Sequence, residues 1–451
     1  VAIDLGSFRD PAGYIYYEQG SPKRKITSLG LASWKQLKNS GLLEALQSEN
    51  LLIKHSNIAE DCIAPEKIPF ISYPQEWSFS QLKDAALLTL KIVEKSISYG
   101  YILKDASAYN VQFLNGRPIF IDTLSFETYK EGSPWIAYKQ FCQHFLAPLA
   151  LMSKTDIGLL KLSATYIDGV PLPLVSKLLP FSTKFSLQLY LHIHLHAKSQ
   201  EKFADVTDIE SKTKKRSLSK TALLGLLDGL KSCINSLRWR PQGTEWGDYY
   251  NGTNYTNESM SEKGRLVGEY VALTNPKSIW DLGANTGVFS HIALEKSNAE
   301  IVSFDIDPAA VEKHYLYLKS LDKKSILPLV LDLTNPTPSY GWAGKERTSV
   351  EARGPADLIM ALALIHHIAI SNNVPLEKIA EYFSKLGKQL IIEFVPKSDS
   401  QVIKLLSTRE DIFPHYTKQG FETAFSKFFT FVKSIDIKGS ERTLYLMTAK
   451  N

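Results

Sequence analysis

The stretch "SIWDLGANTGVFSHIALEK" (278–296) reads as a strand, a tight turn and a helix. The apolar run ends at Asp281. A loop with Gly283, Asn285 and Gly287 follows, and then helical periodicity sets in. Glycines suit such a loop because the turn is tight and a ligand must come close to the backbone. Asn285 stands where left-handed backbone is needed, a conformation asparagine tolerates better than most residues. Outward from this loop the chain alternates strand and helix. Strands are predicted at 277–283, 300–307, 326–333, 356–364, 388–395 and 442–449, with helical segments between most of them. That order implies an α/β domain with a mainly parallel sheet and helices on both faces.

The second strand narrows the ligand. "EIVSFDID" (300–307) ends with Asp305 where a carboxylate would grip both hydroxyls of a ribose, and the interval from Asp281 fits one βαβ unit. The third strand ends at Asp332, placed to meet an adenine edge. Together these residues resemble the class I S-adenosylmethionine-dependent methyltransferases, a Rossmann-like family. Residues 281–287 look like their first motif, Asp305 their ribose-binding acid, Asp332 their adenine-proximal acid, and "ADLIMALALIHHI" (356–368) their fourth motif. A closing strand "RTLYLM" is similar to their antiparallel C-terminal hairpin. The rival, a dinucleotide-binding dehydrogenase domain, carries Gly-x-Gly-x-x-Gly, which is not the pattern here.

The resemblance implies S-adenosylmethionine as cofactor, with Asp281, Gly283, Asn285, Gly287, Asp305 and Asp332 holding it. A donor that carries an activated methyl needs a positioned acceptor and, for a hydroxyl, a base. His366 and His367, just past the fourth strand, are the candidate bases; one of them equally well packs or caps a helix. Glu393, ending the fifth strand, is a candidate to orient substrate or base. Enzymes that methylate base amino groups resemble one another in an Asn-Pro-Pro-Tyr-like fourth motif. "ALAL" (361–364) disfavours that class. RNA ribose methyltransferases carry Lys-Asp-Lys-Glu; Lys263 mimics the first member, but strand five ends in Glu393. The acceptor expected is a small molecule or glycan, methylated on oxygen, with nucleic acid disfavoured.

The first 200 residues mix strand and helix patterns. A hairpin is expected in "GYIYYEQGSPKRKIT" (13–27), a helix in "SQLKDAALLTLKIVEKSISYG" (80–100), and two strands around Asn-Gly in "VQFLNGRPIFID" (111–122). Asp105, Asn110 and Asp122 follow the spacing by which phosphotransferases orient an acceptor and hold magnesium. This region resembles the protein-kinase-like superfamily, small-molecule kinases in particular, and the resemblance implies an α+β fold and an Mg-ATP site. It departs from the family at Leu103, where histidine is usual, at Thr123–Leu124, where Phe-Gly is usual, and in lacking a Gly-rich phosphate loop. Arg24, Lys25 and Lys54 are the candidate phosphate-binding bases. A degenerate kinase-like fold, or ordinary turn aspartates, account for the same residues.

The organisation expected is therefore a kinase-like domain at 1–200, a connection at 201–243, and a methyltransferase domain at 244–451. The connection combines a basic run, "DIESKTKKRSLSK" (208–220), with an amphipathic helix (221–239). "EWGDYYNGTNY" (245–255) offers Trp246, Tyr249, Tyr250 and Tyr255 as a lid or as packing. His192, His194 and His196 alternate in "LHIHLH" and would align on a strand, although "FSLQLYLHIHLHAK" equally fits a helix; no acidic or thiol ligand stands near, so no metal site is expected. With 44% hydrophobic residues, 22% charged and a net charge of +5, the chain is an ordinary globular one that permits an anionic partner without demanding it. Three scattered cysteines and no membrane-spanning run point to the cytoplasm. A bifunctional kinase–methyltransferase acting on a surface glycan, and a non-enzymatic interaction protein that retains both folds, remain alternatives.

Overall fold

The computed structural model describes residues 2–198, 218–241, 257–321 and 325–450. Most of the basic run and the aromatic stretch 245–255 lie outside them. The chain divides into two units, Val1–Arg240 with Gly341–Arg347, and Pro241–Tyr340 with Thr348–Asn451.

The first unit begins with an antiparallel sheet of β1 (Ala2–Ile3), β2 (Gly13–Glu18), β3 (Ser21–Ile26), β4 (His55–Ala59) and β5 (Cys62–Pro65), in the order β1-β2-β3-β5-β4. The expected hairpin is β2–β3. Two helices, Ser28–Lys38 and Leu42–Ser48, lie between β3 and β4. The expected helix runs Phe79–Ser98. Ser78 and Gln81 cap each other's backbone N–H groups at its start, and Gly100, at φ +78°, ends it. Then come β6 (Tyr101–Leu103), β7 (Val111–Leu114), β8 (Arg117–Phe120) and β9 (Phe126–Thr128), paired β6–β9 and β7–β8. Asn115 and Gly116 both take positive φ in the β7–β8 turn, as a two-residue hairpin requires.

Two segments read from the sequence take their place here. The amphipathic helix expected in the connection spans Lys220–Ser236 and packs inside the first unit. It buries Leu223, Leu227 and Leu230, and Lys83 donates to the carbonyls of Asn235 and Leu237 at its C-terminal end. The histidine run is helical, so alternate residues do not share a face. His192 bonds the Tyr138 hydroxyl, His194 bonds Ser176 and Thr183, and His196 stacks on Tyr138.

The second unit is built on β10 (Ser278–Leu282), β11 (Glu300–Asp305), β12 (Ile326–Val330), β13 (Ala356–Ala361), β14 (Gly387–Phe394), β15 (Phe429–Asp436) and β16 (Thr443–Ala449). Their order is β12-β11-β10-β13-β14-β16-β15. The first five are parallel, while β16 runs antiparallel between β14 and β15. Leu358, Ile359, Met360 and Ala361 are all buried in succession, as are Leu390, Ile391 and Ile392, so both sheet faces are covered. Ile279, Ile301, Leu358, Met360, Ile391 and Leu446 share one core with Phe289 and Val267 from flanking helices. Each such side chain stabilises the fold by about 1.5–3 kcal/mol. The chain steps from β10 to β11 to β12, then returns to β13 on the other side of β10. That reversal opens a crevice at the carboxyl ends of the strands.

Candidate active site

A cavity of about 300 Å³ lies in that crevice. Asp281, Gly283, Asn285, Asp305, Asp332, Lys263 and His367 line it. The glycine loop takes the left-handed backbone its sequence requires: Gly283 has φ +74°, Asn285 +51° and Gly287 +83°. The Gly283 and Ala284 N–H groups are tied to the Phe304 carbonyl at 2.8 and 2.9 Å, which fixes the loop to the end of β11. Gly287 caps the helix Val288–Lys296 from behind the loop rather than lining the cavity.

Asp305 links this loop to the next turn. One of its oxygens accepts the Asn285 N–H at 2.7 Å and the other the Asp307 N–H at 2.8 Å. Burial still pushes its carboxyl up to about 6. Asp281 accepts from the Ser290 hydroxyl at 2.6 Å, and Ser290 in turn meets Ser303 at 2.7 Å. Burial raises the Asp281 carboxyl to about 7. Asp332 folds its own turn by accepting the Thr334 N–H and hydroxyl through one oxygen, at 2.9 and 2.6 Å.

The two histidines separate. His367 reaches the cavity wall, and burial lowers its imidazole to about 4, so it is neutral at physiological pH. His366 is fully buried, does not line the cavity, and neither ring nitrogen has a hydrogen-bond partner. Its ring sits 4.1 Å from that of His367, and burial holds its imidazole well below the ordinary range. Glu393 is also fully buried and away from the cavity lining. One of its oxygens accepts from Lys263 Nζ at 2.6 Å and from the Ala363 N–H at 2.7 Å. Its other oxygen meets Arg442 at 3.4 Å, and Arg442 holds Asp399 at 2.7 and 3.1 Å.

The first unit brings its own expected residues together. Asp105 accepts the Ser107 N–H at 2.9 Å, and burial, with the charge of Asp122 nearby, raises its carboxyl. Arg24 donates to Asp122 at 2.5 Å and to Asp10 at 3.2 Å. Ser125 and the Leu124 N–H also donate to Asp122. Burial pushes the Asp122 carboxyl up, and Arg24 with Ser125 more than offsets it, leaving it below its ordinary value.

The nodulation protein NoeA of Rhizobium meliloti (strain 1021) is 39% identical over 454 residues, which cover 98% of this chain and 94% of NoeA. The chain belongs to the NoeA family. No family model matches it. Among solved structures, the N-methyltransferase NodS from Bradyrhizobium japonicum WM9, in complex with S-adenosyl-L-homocysteine, is similar at a TM-score of 0.33 and 10% identity, over 46% of this chain and 94% of NodS. Magnesium protoporphyrin IX methyltransferase from Synechocystis PCC 6803 gives a TM-score of 0.31 and 15% identity, over 45% and 92%.

Several residues of this NoeA-family site were missed in the sequence. Ser290 and Ser303, which hold Asp281, lie on the buried faces of a helix and a strand and carry no motif signal. Lys263 did carry one. It shares a buried helix face with Val267 and Tyr270, and a lysine on an apolar stripe is a sign of a partner or a ligand.

Proposed function

We propose that residues 241–340 and 348–451 form an S-adenosylmethionine-dependent methyltransferase that acts on an oxygen of a small-molecule or glycan-type acceptor. Asp305 carries the reading. The Asn285 and Asp307 N–H groups fix its two carboxylate oxygens at the cavity wall, one each, an orientation that suits two neighbouring ribose hydroxyls. The cavity's donor set fits the whole cofactor. Three carboxylates and one ammonium line it, and the cofactor brings two positive centres and one carboxylate. Asp305 would hold the ribose and Asp332 the adenine edge. When bound, the cofactor supplies a methyl group already activated on sulfonium. The chain's own task is to exclude water, align the acceptor and take its proton. His367 is the base, since it is neutral and stands at the cavity wall.

"ALAL" at 361–364 lacks the pattern of enzymes that methylate base amino groups, which supports an oxygen acceptor over that nitrogen class. All three cysteines are free and buried, and no described helix is long and apolar enough to cross a membrane. Both facts accord with a cytoplasmic site of action.

The test is calorimetric titration of the full chain with S-adenosylmethionine. Removing two charge-assisted acceptor sites with Asp305→Ala costs about 3 kcal/mol or more, a loss of affinity over about 100-fold. Tight residual binding by Asp305→Ala would refute the site.

For the first unit, the meeting of Asp105, Asn110 and Asp122 supports a kinase-like fold. Magnesium does not fit the cluster as it stands, because Arg24, Ser125 and a backbone N–H already donate to Asp122. We therefore derive no phosphoryl transfer, and read this unit as one that recruits the acceptor. Heat on titration with Mg-ATP, abolished by Asp122→Asn, would restore the bifunctional alternative.

A further inference from the structure

The first unit carries an exposed apolar face that the cavity above does not use. Between Asp168 and Glu201 the chain has no acidic residue, and its lysines there are Lys177, Lys184 and Lys198. Along this stretch Phe181, Phe185 and Leu187 are 68%, 79% and 71% exposed, and Leu178, Leu191 and Leu195 are exposed as well. Apolar residues scattered singly over a surface are ordinary, whereas a group of them marks an interaction surface. The group is held in place by its own core. His194 is buried, and its Nδ1 meets the Ser176 hydroxyl at 2.8 Å and its Nε2 the Thr183 hydroxyl at 2.9 Å. That ties together the helix Leu172–Leu178, the turn Phe181–Phe185 and the helical run Tyr190–Leu195. The Phe181 and Phe185 rings stand 5.6 Å apart, edge to face. Leu187, Leu191 and Leu195 recur every four residues, so they share one side of their helical turns. The lysines stand around the same core. Lys184 Nζ sits 4.9 Å from the Phe181 ring centre. After burial, the charges of Lys184 and Lys198 lower the His194 imidazole, which puts both lysines near it.

We propose that this face docks the chain on an anionic membrane surface, with Phe181, Phe185 and Leu187 entering the interface and Lys177, Lys184 and Lys198 meeting lipid phosphates. Exposed phenyl and leucyl side chains gain by leaving water, and each lysine gains from the negative surface potential. Rings and leucines beside lysines are the make-up of a segment that lies in a bilayer interface. The helical runs here are too short to cross a bilayer, so the contact is one of surface only. A second copy fits less well, because two such faces would set their lysines against one another with no carboxylate from this stretch between them.

The test is flotation of the full chain with phosphatidylcholine vesicles, with and without about one-third phosphatidylglycerol, at physiological ionic strength. The wild type is expected to bind the anionic vesicles at least about tenfold more tightly than the neutral ones. Phe181→Ser with Phe185→Ser should weaken binding to the anionic vesicles by about 30-fold or more. Both rings stand mostly in water, so this variant keeps the fold, which circular dichroism checks. Lys177→Gln, Lys184→Gln and Lys198→Gln together should cost about tenfold or more on anionic vesicles and nothing on neutral ones. A wild type that floats with neither vesicle would overturn the proposal. So would a phenylalanine double variant that binds anionic vesicles as tightly as the wild type, since the attraction would then belong to the basic run 208–220. Sedimentation velocity reads the last outcome. A wild-type dimer that the double variant turns into a monomer, with no vesicle binding by either, would give the face to a second copy and overturn the membrane reading.

Discussion

Replacing Gly287 with alanine tests the packing behind the cofactor loop. A Cβ built there would lie 2.0 Å from His314 Cε1 and 2.2 Å from its Nε2. Carbon atoms in contact prefer about 3.5–4.0 Å, so the ring or the loop must shift by well over an ångström. The ring has little room, since His314 is 1% exposed and packs against His291. Forcing an extra methyl into such packing costs about 1–3 kcal/mol. The backbone adds its own cost, because Gly287 sits at φ +83° and a left-handed non-glycine residue costs about 1–2 kcal/mol. Gly287→Ala should therefore cost about 2–5 kcal/mol in all. In a His314→Ala background only the backbone part survives, about 1–2 kcal/mol. The chain has two units, so one unfolding midpoint would mix them. Native-state hydrogen exchange at β10 and the helix Val288–Lys296 reads the local free energy instead. A coupling of about 1–3 kcal/mol between the two substitutions is expected. If Gly287→Ala costs the same in both backgrounds, within about 0.5 kcal/mol, the steric account is wrong.

Binding of S-adenosylhomocysteine should tighten as pH rises from 5.5 to 7.5, because Asp305 and Asp281, raised by burial to about 6 and 7, are carboxylates only above those values; calorimetry that finds affinity falling over this range would contradict their assignment. In the ligand-free protein the sign reverses: the folded state keeps protons the unfolded state releases, so the pair's contribution to stability fades as pH climbs from about 4 through 7. His367→Ala should lower kcat by about 100-fold with nucleoside binding kept. His366→Leu should leave kcat unchanged, since no ring nitrogen there has a partner to lose; equal losses in steady-state assays would show that the base is misassigned. Glu393→Gln should cost about 3–5 kcal/mol by leaving Lys263 and Arg442 buried with one carboxylate fewer; unchanged native-state hydrogen exchange at β13 and β14 would speak against a structural brace.

What was legible in the sequence was local. The glycine loop announces itself because its left-handed positions at Gly283, Asn285 and Gly287 admit few residue types. Asp305 and Asp332 are legible as candidates because strand ends at a parallel sheet's carboxyl edge border the crevice, and both line the cavity. His366 and His367 could not be separated, because adjacent helical residues point about 100° apart and the helix phase is set by packing. In the first unit the spacing of Asp105, Asn110 and Asp122 was visible. The partner that changes their meaning was not: Arg24 stands 98 residues from Asp122 on a different strand.

Glu393 shows best why the rest stayed hidden. Read as a strand-end acid, it looked like a group that orients substrate. Its partners lie 130 residues away at Lys263 and 49 away at Arg442, separations that no spacing rule reaches. The residue it holds at closer range, Ala363, carries a positive φ of +51° that alanine does not choose. Such backbone costs about 1–3 kcal/mol and persists only where the surroundings fix it. The Ala363 N–H bond to Glu393 is one fixing contact, and the same carboxylate oxygen holds Lys263. One buried acid thus sets the turn after β13 and the ammonium on the helix Asn257–Thr274, two walls of the same cavity. Its effect on chemistry runs through both, which is why a loss at Glu393 should appear as poorer ligand binding and lower stability together, not as a shifted pH profile of the base.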